Sequence, residues 1–278
     1  MSDGDNLQWL LNDFGTNQRW FASPDRGKVD LGWTISPALC ELAPTVMKSF
    51  YDRSSESENG RDYFIAGPSG IGYSYPERFP ARNKMTELLN EYMKKSDLNI
   101  VNVIDDPGNL DAIKLYLDQE AIDGIFLYSY ADYYTGLNGS IQWYDNKPVI
   151  GGRFALWDGA YSPQNLANIL NNMPRNPKSS SGYSLIPVHA WSMNVSDVKA
   201  CADMLTQNVR VVAPDEFVKL IKANLSDQTT NSILNEVGGN KNNFELTFPN
   251  PVNDNITARY YLPYKANEVT IAIYNIRG

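Results

Sequence analysis

Residues 62–104 read DYFIAGPSGIGYSYPERFPARNKMTELLNEYMKKSDLNIVNVI, and their order decides the fold. DYFIAG (62–67) is a short apolar run and reads as a buried strand. ARNKMTELLNEYMKKS (81–96) spaces its apolar residues as an amphipathic helix does, and LNIVNVI (98–104) returns to a β-branched run. Strand, helix and strand in succession make a βα unit whose strands lie parallel.

The same alternation extends in both directions. Towards the start, LGWTIS (31–36) is a further strand, followed by helix from about Pro44. Towards the end come a helix at 109–120, a strand at 124–130, and a hairpin or a loop with a short strand at 141–152. A helix at 162–173 is capped by Ser162 with Pro163 in its first turn. A strand at 183–190, a helix at 196–207 capped by Ser196, a strand at 209–213 and a helix at 214–225 complete the series. The expected fold is α/β, a (β/α) barrel-like domain over 1–225. An open doubly wound sheet is the alternative. SDGDN (2–6) leads straight into helical LQWLLNDF, so a first strand is expected to be missing before Met1.

After about residue 225 the texture changes. Residues 226–243 are polar with a Gly-Gly pair and read as a linker. In 244–278, NITARYYL and EVTIAIYNI alternate with period two, as strands of an all-β module do. About 35 residues are too few for a sandwich core, so this module is expected to be truncated at Gly278.

Composition limits what such a chain does. It has 278 residues, 42% hydrophobic, with a formal net charge of −8. That charge argues against a nucleic-acid partner, which calls for a basic stripe. No stretch of about 18 apolar residues is present to span a membrane, and the start lacks the basic and apolar run of a signal peptide. Cys40 and Cys201 are the only cysteines. They form either a disulfide or two buried thiols, and free thiols are the expectation. Seventeen tyrosines and six tryptophans, many in loops, suit a ligand that is apolar on its face and polar at its rim, as a sugar is.

In parallel β/α folds the site lies at the carboxyl ends of the strands. Segments just after each strand are SDGDN (2–6), GPSGIGYSYPE (67–77), DDPGN (105–109), SYADYY (129–134), RFALWDG (153–159) and HAWSMN (189–194). They collect Asp3, Asp5, Glu77, Asp105, Asp106, Asp132, Asp158 and His189 on one rim. Asp3, Asp5, Glu77, Asp106, Asp132 and His189 are the catalytic candidates. Tyr73, Tyr75, Arg153, Trp157 and Trp191 are the substrate-binding candidates. Each has a plainer reading: the Asp3–Asp5 pair as a solvated tail, Asp105–Asp106 as a turn before Pro107-Gly108, Arg153 as a surface pair, His189 as a core histidine.

The single histidine excludes zinc-hydrolase motifs and a His-x-x-x-His deacetylase site. No Gly-x-Ser-x-Gly elbow surrounds Ser69 or Ser74. Carboxylate chemistry is left, with no transition-metal site expected and a Ca²⁺ ion held by oxygen ligands as one option. GIGYSYP (70–76) places Tyr75 where a dinucleotide fingerprint needs its third glycine, so a phosphate cradle is a poor reading. A rigid turn or the wall of a sugar cleft is a better one.

GIGYSYP also carries a resemblance. Gly70, Gly72, Tyr73, Tyr75 and Pro76 match the signature of the GxGYxYP putative glycoside hydrolases, specifically their C-terminal domain. MSDGDNLQWLL, GWTISPALCELAP and VHAWSMN are similar to segments of the same family, and the resemblance spans about residues 1–225. It implies a glycoside hydrolase fold and activity, and a Met1 that lies inside the domain. FPNPVNDNITARYYLP (248–263) and VTIAIYNIRG (269–278) resemble the C-terminal sorting domain of the type IX secretion system of Bacteroidetes. That implies the type IX machinery as a partner and a secreted or cell-surface location.

The leading expectation is therefore hydrolysis of a glycosidic bond in a polysaccharide by two carboxylates. A surface glycan-binding protein without catalysis is the alternative, and a structural cell-surface domain a third.

Overall fold

The computed structural model describes residues 7–104, 111–129 and 135–225, and all that follows concerns these. The expected linker and β-module at 226–278 lie outside them. The elements, in chain order, begin with α1 (Leu7–Leu10), β1 (Leu31–Ile35), α2 (Leu39–Leu42), α3 (Pro44–Asp52), β2 (Glu56–Ser57) and β3 (Gly60–Ala66). Then come α4 (Arg82–Lys95), β4 (Ile100–Ile104), α5 (Asp111–Leu117), β5 (Gly124–Tyr128), β6 (Ile141–Tyr144) and β7 (Lys147–Gly151). The helices α6 (Pro163–Asn171), α7 (Val195–Asp203) and α8 (Pro214–Leu225) follow.

The fold is mixed α/β around a parallel-rich sheet ordered β1-β3-β4-β5-β7-β6, with β2 paired on β3. β1, β3, β4, β5 and β7 are parallel and follow one another in sequence order; β6 is antiparallel to β7. The strands read as continuous apolar runs because both faces are covered. Phe64, Val101, Val103, Ile125, Leu127 and Val149 pack against the helix-side core with Met85, Leu89 and Met93 of α4. Ile65, Ile100, Ile104, Phe126, Tyr128 and Ile150 pack on the opposite face with Val218, Ile221 and Leu225 of α8.

Local chemistry sets the connections. Met85, Leu89 and Met93 repeat every four residues and form the buried stripe of α4. Its end is fixed by Asp97 at φ 54°, with Leu98 N–H donating back to Met93 O at 3.0 Å, so the chain turns directly into β4. Asp145 and Asn146, both at positive φ, make the two-residue turn of the expected β6–β7 hairpin. Ser162 caps α6 by accepting from Asn165 N, as read from the sequence.

Three sequence expectations are corrected. Residues 183–190 do not form a regular strand: they join the sheet by bridges from Gly152 to Leu185 and from Leu156 to Val188. Pro187 has no N–H to continue the ladder. Residues 209–213 are not a strand either. Val209 N–H is spent on Thr206 O, and Arg210 turns onto Glu216 of α8. The cap of α7 is Asn194 rather than Ser196: Asn194 accepts from Asp197 N at 3.1 Å and Asp197 Oδ2 accepts from Asn194 N at 2.9 Å. Ser196 instead donates to Asp25 Oδ2 at 2.6 Å. Both Cys40 and Cys201 are free thiols. Among the described residues no helix is long and apolar enough to cross a membrane.

Candidate functional site

The loop after β3 carries the glycine–tyrosine motif, and it is pinned from several sides. Ser69, fully buried, accepts from Ile104 N at 2.9 Å and donates to Ser74 O at 2.9 Å. Its carbonyl accepts from Tyr116 of α5 at 2.8 Å, and Ser36, just past β1, donates to Ile71 O at 2.9 Å. The loop is thus tied to the carboxyl ends of β1 and β4 and to α5. Gly70 sits at φ 110°, where a side chain is strained, and a Cβ there would lie 2.6 Å from Leu89 Cδ2. Gly72 is different: a Cβ on it would meet nothing within 4 Å.

This fixed loop presents the two tyrosines. Tyr73 is exposed and stands edge-on to Tyr75, with centroids 6.3 Å apart. Tyr75 packs against the buried cluster under α8, and the Arg78 guanidinium lies 5.0 Å from its ring. Glu77, two residues further, accepts from Ala112 N in the first turn of α5 at 2.8 Å and from Arg82 at 3.1 Å. A carboxylate at a helix N-terminus is favoured by the helix dipole, which gives Glu77 a structural task.

A second group forms where 152–158 runs beside 185–192. His189, nearly buried, stacks on Trp157 with ring centroids 3.8 Å apart and an interplanar angle of 11°. Its Nδ1 lies 2.8 Å from Ser192 Oγ, which also accepts from Asp158 N at 3.2 Å. Trp157, like Tyr75, packs on the buried cluster that α8 covers. Trp191 is 40% exposed and meets Trp9 and Trp20 edge-on at 4.7 and 5.1 Å. Trp20 in turn donates from Nε1 to Ala190 O at 2.8 Å.

Arg153 is turned to the backbone. It donates to Tyr183 O at 3.1 Å, Gly139 O at 2.6 Å and Ser180 O at 3.1 Å. Burial draws its pKa below the ordinary guanidinium value. It staples two loops near the rim. Asp3, Asp5, Asp105, Asp106 and Asp132 lie outside the described residues. Of the predicted site residues, the structure brings Tyr73, Tyr75 and Glu77 onto one loop and Trp157, His189 and Trp191 onto one turn region. Sequence reasoning missed Ser192, Trp9, Trp20 and Arg19. The His-x-x-Ser spacing within a turn was the available signal for Ser192.

A cavity of about 530 Å³ opens elsewhere, bordered by Thr34, Ile65, Phe126, Tyr128, Val188 and Phe217. None of the predicted site residues lines it. Among the described residues no group of three His, Cys, Asp or Glu side chains is placed to hold a metal ion.

Residues 1–222 match the family model described as "GxGYxYP putative glycoside hydrolase C-terminal domain". The chain belongs to that family. A solved structure, a putative hydrolase from Bacteroides thetaiotaomicron VPI-5482, is similar to this GxGYxYP chain with 37% identity and a TM-score of 0.69. The match covers 81% of this chain and 44% of that one, so the chain spans less than half the length of the solved protein. No curated protein matches. Within the GxGYxYP family signature, Gly70 shapes the loop, Tyr73 is exposed on it and Tyr75 packs inward.

Proposed function

We propose that the strand-end rim binds a polysaccharide and cleaves a glycosidic bond in it. The observation that carries this reading is the stack of Trp157 on His189 after the sheet bridges at 185–188, together with the exposed Tyr73 on a loop pinned to the ends of β1 and β4. Aromatic faces bordered by hydroxyl and imidazole groups suit a sugar ring, which has an apolar face and a polar edge. The sequential parallel strands, continued by the bridges at Leu185 and Val188, support taking the sheet as most of a β/α barrel, whose carboxyl-end rim is the usual place of a site.

In the proposed mechanism one carboxylic acid protonates the leaving oxygen, and a second carboxylate attacks the anomeric carbon or activates water. Asp3, Asp5, Asp106 and Asp132 are the candidates. Glu77 is a weaker one, because its two oxygens already accept from α5 and Arg82. The hydrogen bond between His189 Nδ1 and Ser192 Oγ, with Asp158 N–H also on that hydroxyl, holds the imidazole and the Trp157 stack in place at the proposed site. A Ca²⁺ ion, if used, would take its oxygens from the same aspartates.

Reducing-end release from a panel of polysaccharides tests this, with Asp5→Asn, Asp106→Asn and Asp132→Asn beside the full chain. Loss of release in at least one variant, with melting unchanged, supports the reading. Release that persists in all of them refutes the carboxylate assignment. The engagement of Glu77 favours a second reading, a glycan-binding surface without turnover; binding that survives every such change, with no release by any form, selects it. Secretion or surface attachment is part of the proposal through the tail's resemblance to a type IX sorting domain. Deleting 244–278 should then retain the protein inside the producing cell.

A further inference from the structure

Trp191 is held in an unusual way for a half-exposed indole. Trp9 and Trp20 meet it at interplanar angles of 67° and 88°, so neither lies flat on it. Trp20 is buried and locked by its hydrogen bond to Ala190 O, and Arg19 donates to Trp191 O at 3.4 Å. The backbone of Arg19 also accepts from Val195 N at 3.2 Å, so the turn carrying Trp191 is tied to the N-terminal segment at several points. A large apolar side chain braced by two other indoles still keeps 40% of its surface exposed. Arg19 is exposed beside it and spends one of its five N–H donors on the Trp191 carbonyl. Gln8, also exposed, precedes Trp9.

We propose that Trp191, braced by Trp9 and Trp20, is an outer stacking subsite for a pyranose ring of a polymeric glycan, with Arg19 donating to that ring's hydroxyls. It rests on the glycan reading of the rim and specifies the substrate as a chain long enough to reach past His189. The position follows from the sequence itself: Trp191 lies two residues beyond His189, on the same turn, and its neighbours belong to the N-terminal segment rather than to the motif loop. A ring preset for stacking gives affinity without an ordering cost on binding. A charged donor at its edge sets which face of the sugar it accepts.

The test is affinity electrophoresis of the full chain through gels containing starch, arabinoxylan, galactomannan or pectin, beside Trp191→Ala, Trp191→Phe and Arg19→Gln. At least one polysaccharide should retard the parent. Trp191→Ala should bind it about five- to tenfold more weakly, as loss of one aromatic stacking contact implies. Trp191→Phe should lie between, and Arg19→Gln should weaken binding with the melting temperature unchanged. If Trp191→Ala fails to fold, Trp191→Phe and Arg19→Gln still decide. Retardation equal in parent and all three variants overturns the subsite while leaving the glycan reading intact. A parent retarded by no polysaccharide, and releasing no reducing ends from any, overturns both.

Discussion

The two glycines of the signature should respond oppositely to the same substitution. Gly70→Ala places a Cβ at φ 110°, a conformation that costs about 1–3 kcal/mol for a residue with a side chain. The new methyl also starts 2.6 Å from Leu89 Cδ2 and 3.0 Å from Cδ1. Leu89 is fully buried in α4 and cannot swing aside into solvent. Overpacking of that kind costs about 1–3 kcal/mol more. The total, about 2–6 kcal/mol, lowers the melting temperature of a domain this size by about 5–20 °C. Gly72→Ala meets no atom within 4 Å and should change stability by less than about 0.5 kcal/mol. Thermal unfolding of the full chain followed by circular dichroism makes the comparison. Leu89→Ala should cost less in the Gly70→Ala background than in the parent, because it relieves the overpacking, giving a non-additive pair. Gly70→Ala and Gly72→Ala melting together would refute the reasoning. If Gly72→Ala instead weakens glycan binding while leaving melting intact, the open space above Gly72 is substrate space.

Other substitutions probe the frame of the site. Asp62, whose side chain is fully buried, accepts from Trp33 at 2.7 Å, Arg26 at 2.7 Å and Ser55 N at 2.7 Å; Asp62→Ala should cost about 3–5 kcal/mol in urea unfolding, because it strands a guanidinium. Arg153→Met should speed hydrogen exchange in 136–140 and 180–183 and cost about 2–4 kcal/mol, whereas a substrate-binding Arg153 would change KM with stability intact. Burial pushes the hydroxyl of Tyr63 up to about 12 and those of Tyr51 and Tyr128 further up. The unfolded chain loses these protons near pH 10 and the folded one higher. Their stabilisation is therefore whole below pH 10 and declines as pH rises, with the Tyr63 share gone by about 12. Tyr63→Phe should flatten that part of the alkaline unfolding profile.

Most of the frame was legible because its signals are local. The β4 and β5 runs are apolar throughout since they are buried on both faces, and α4, α6 and α8 carry their stripes and first-turn residues within a few positions. The errors have local causes as well. Two residues able to cap α7, Asn194 and Ser196, stand two apart, and only Asn194 has an acidic partner three positions on. Pro187 interrupts a run that otherwise reads as a strand, and Arg210 takes Val209–Val212 towards α8 instead of the sheet. In the site, placing loops after strands brought Trp157 and His189 forward, and the structure stacks the two rings on each other. The backbone partner of Glu77 lies 35 residues away and those of Arg153 as many as 30, and no spacing rule foretells contacts made by tertiary packing. A long side chain with a charged end reads the same in sequence whether it holds a substrate or a distant loop.

The central claim is that glycan cleavage happens at the rim bordered by the Trp157–His189 stack. The direct measurement is the rate of reducing-end release by the full chain and by Trp157→Ala, on a polysaccharide that retards the parent protein. The account predicts release by the parent and a loss of at least about 100-fold in Trp157→Ala, measured below the melting transition of both proteins, as misplacement of a reacting group implies. Release by Trp157→Ala at the parent's rate would contradict it.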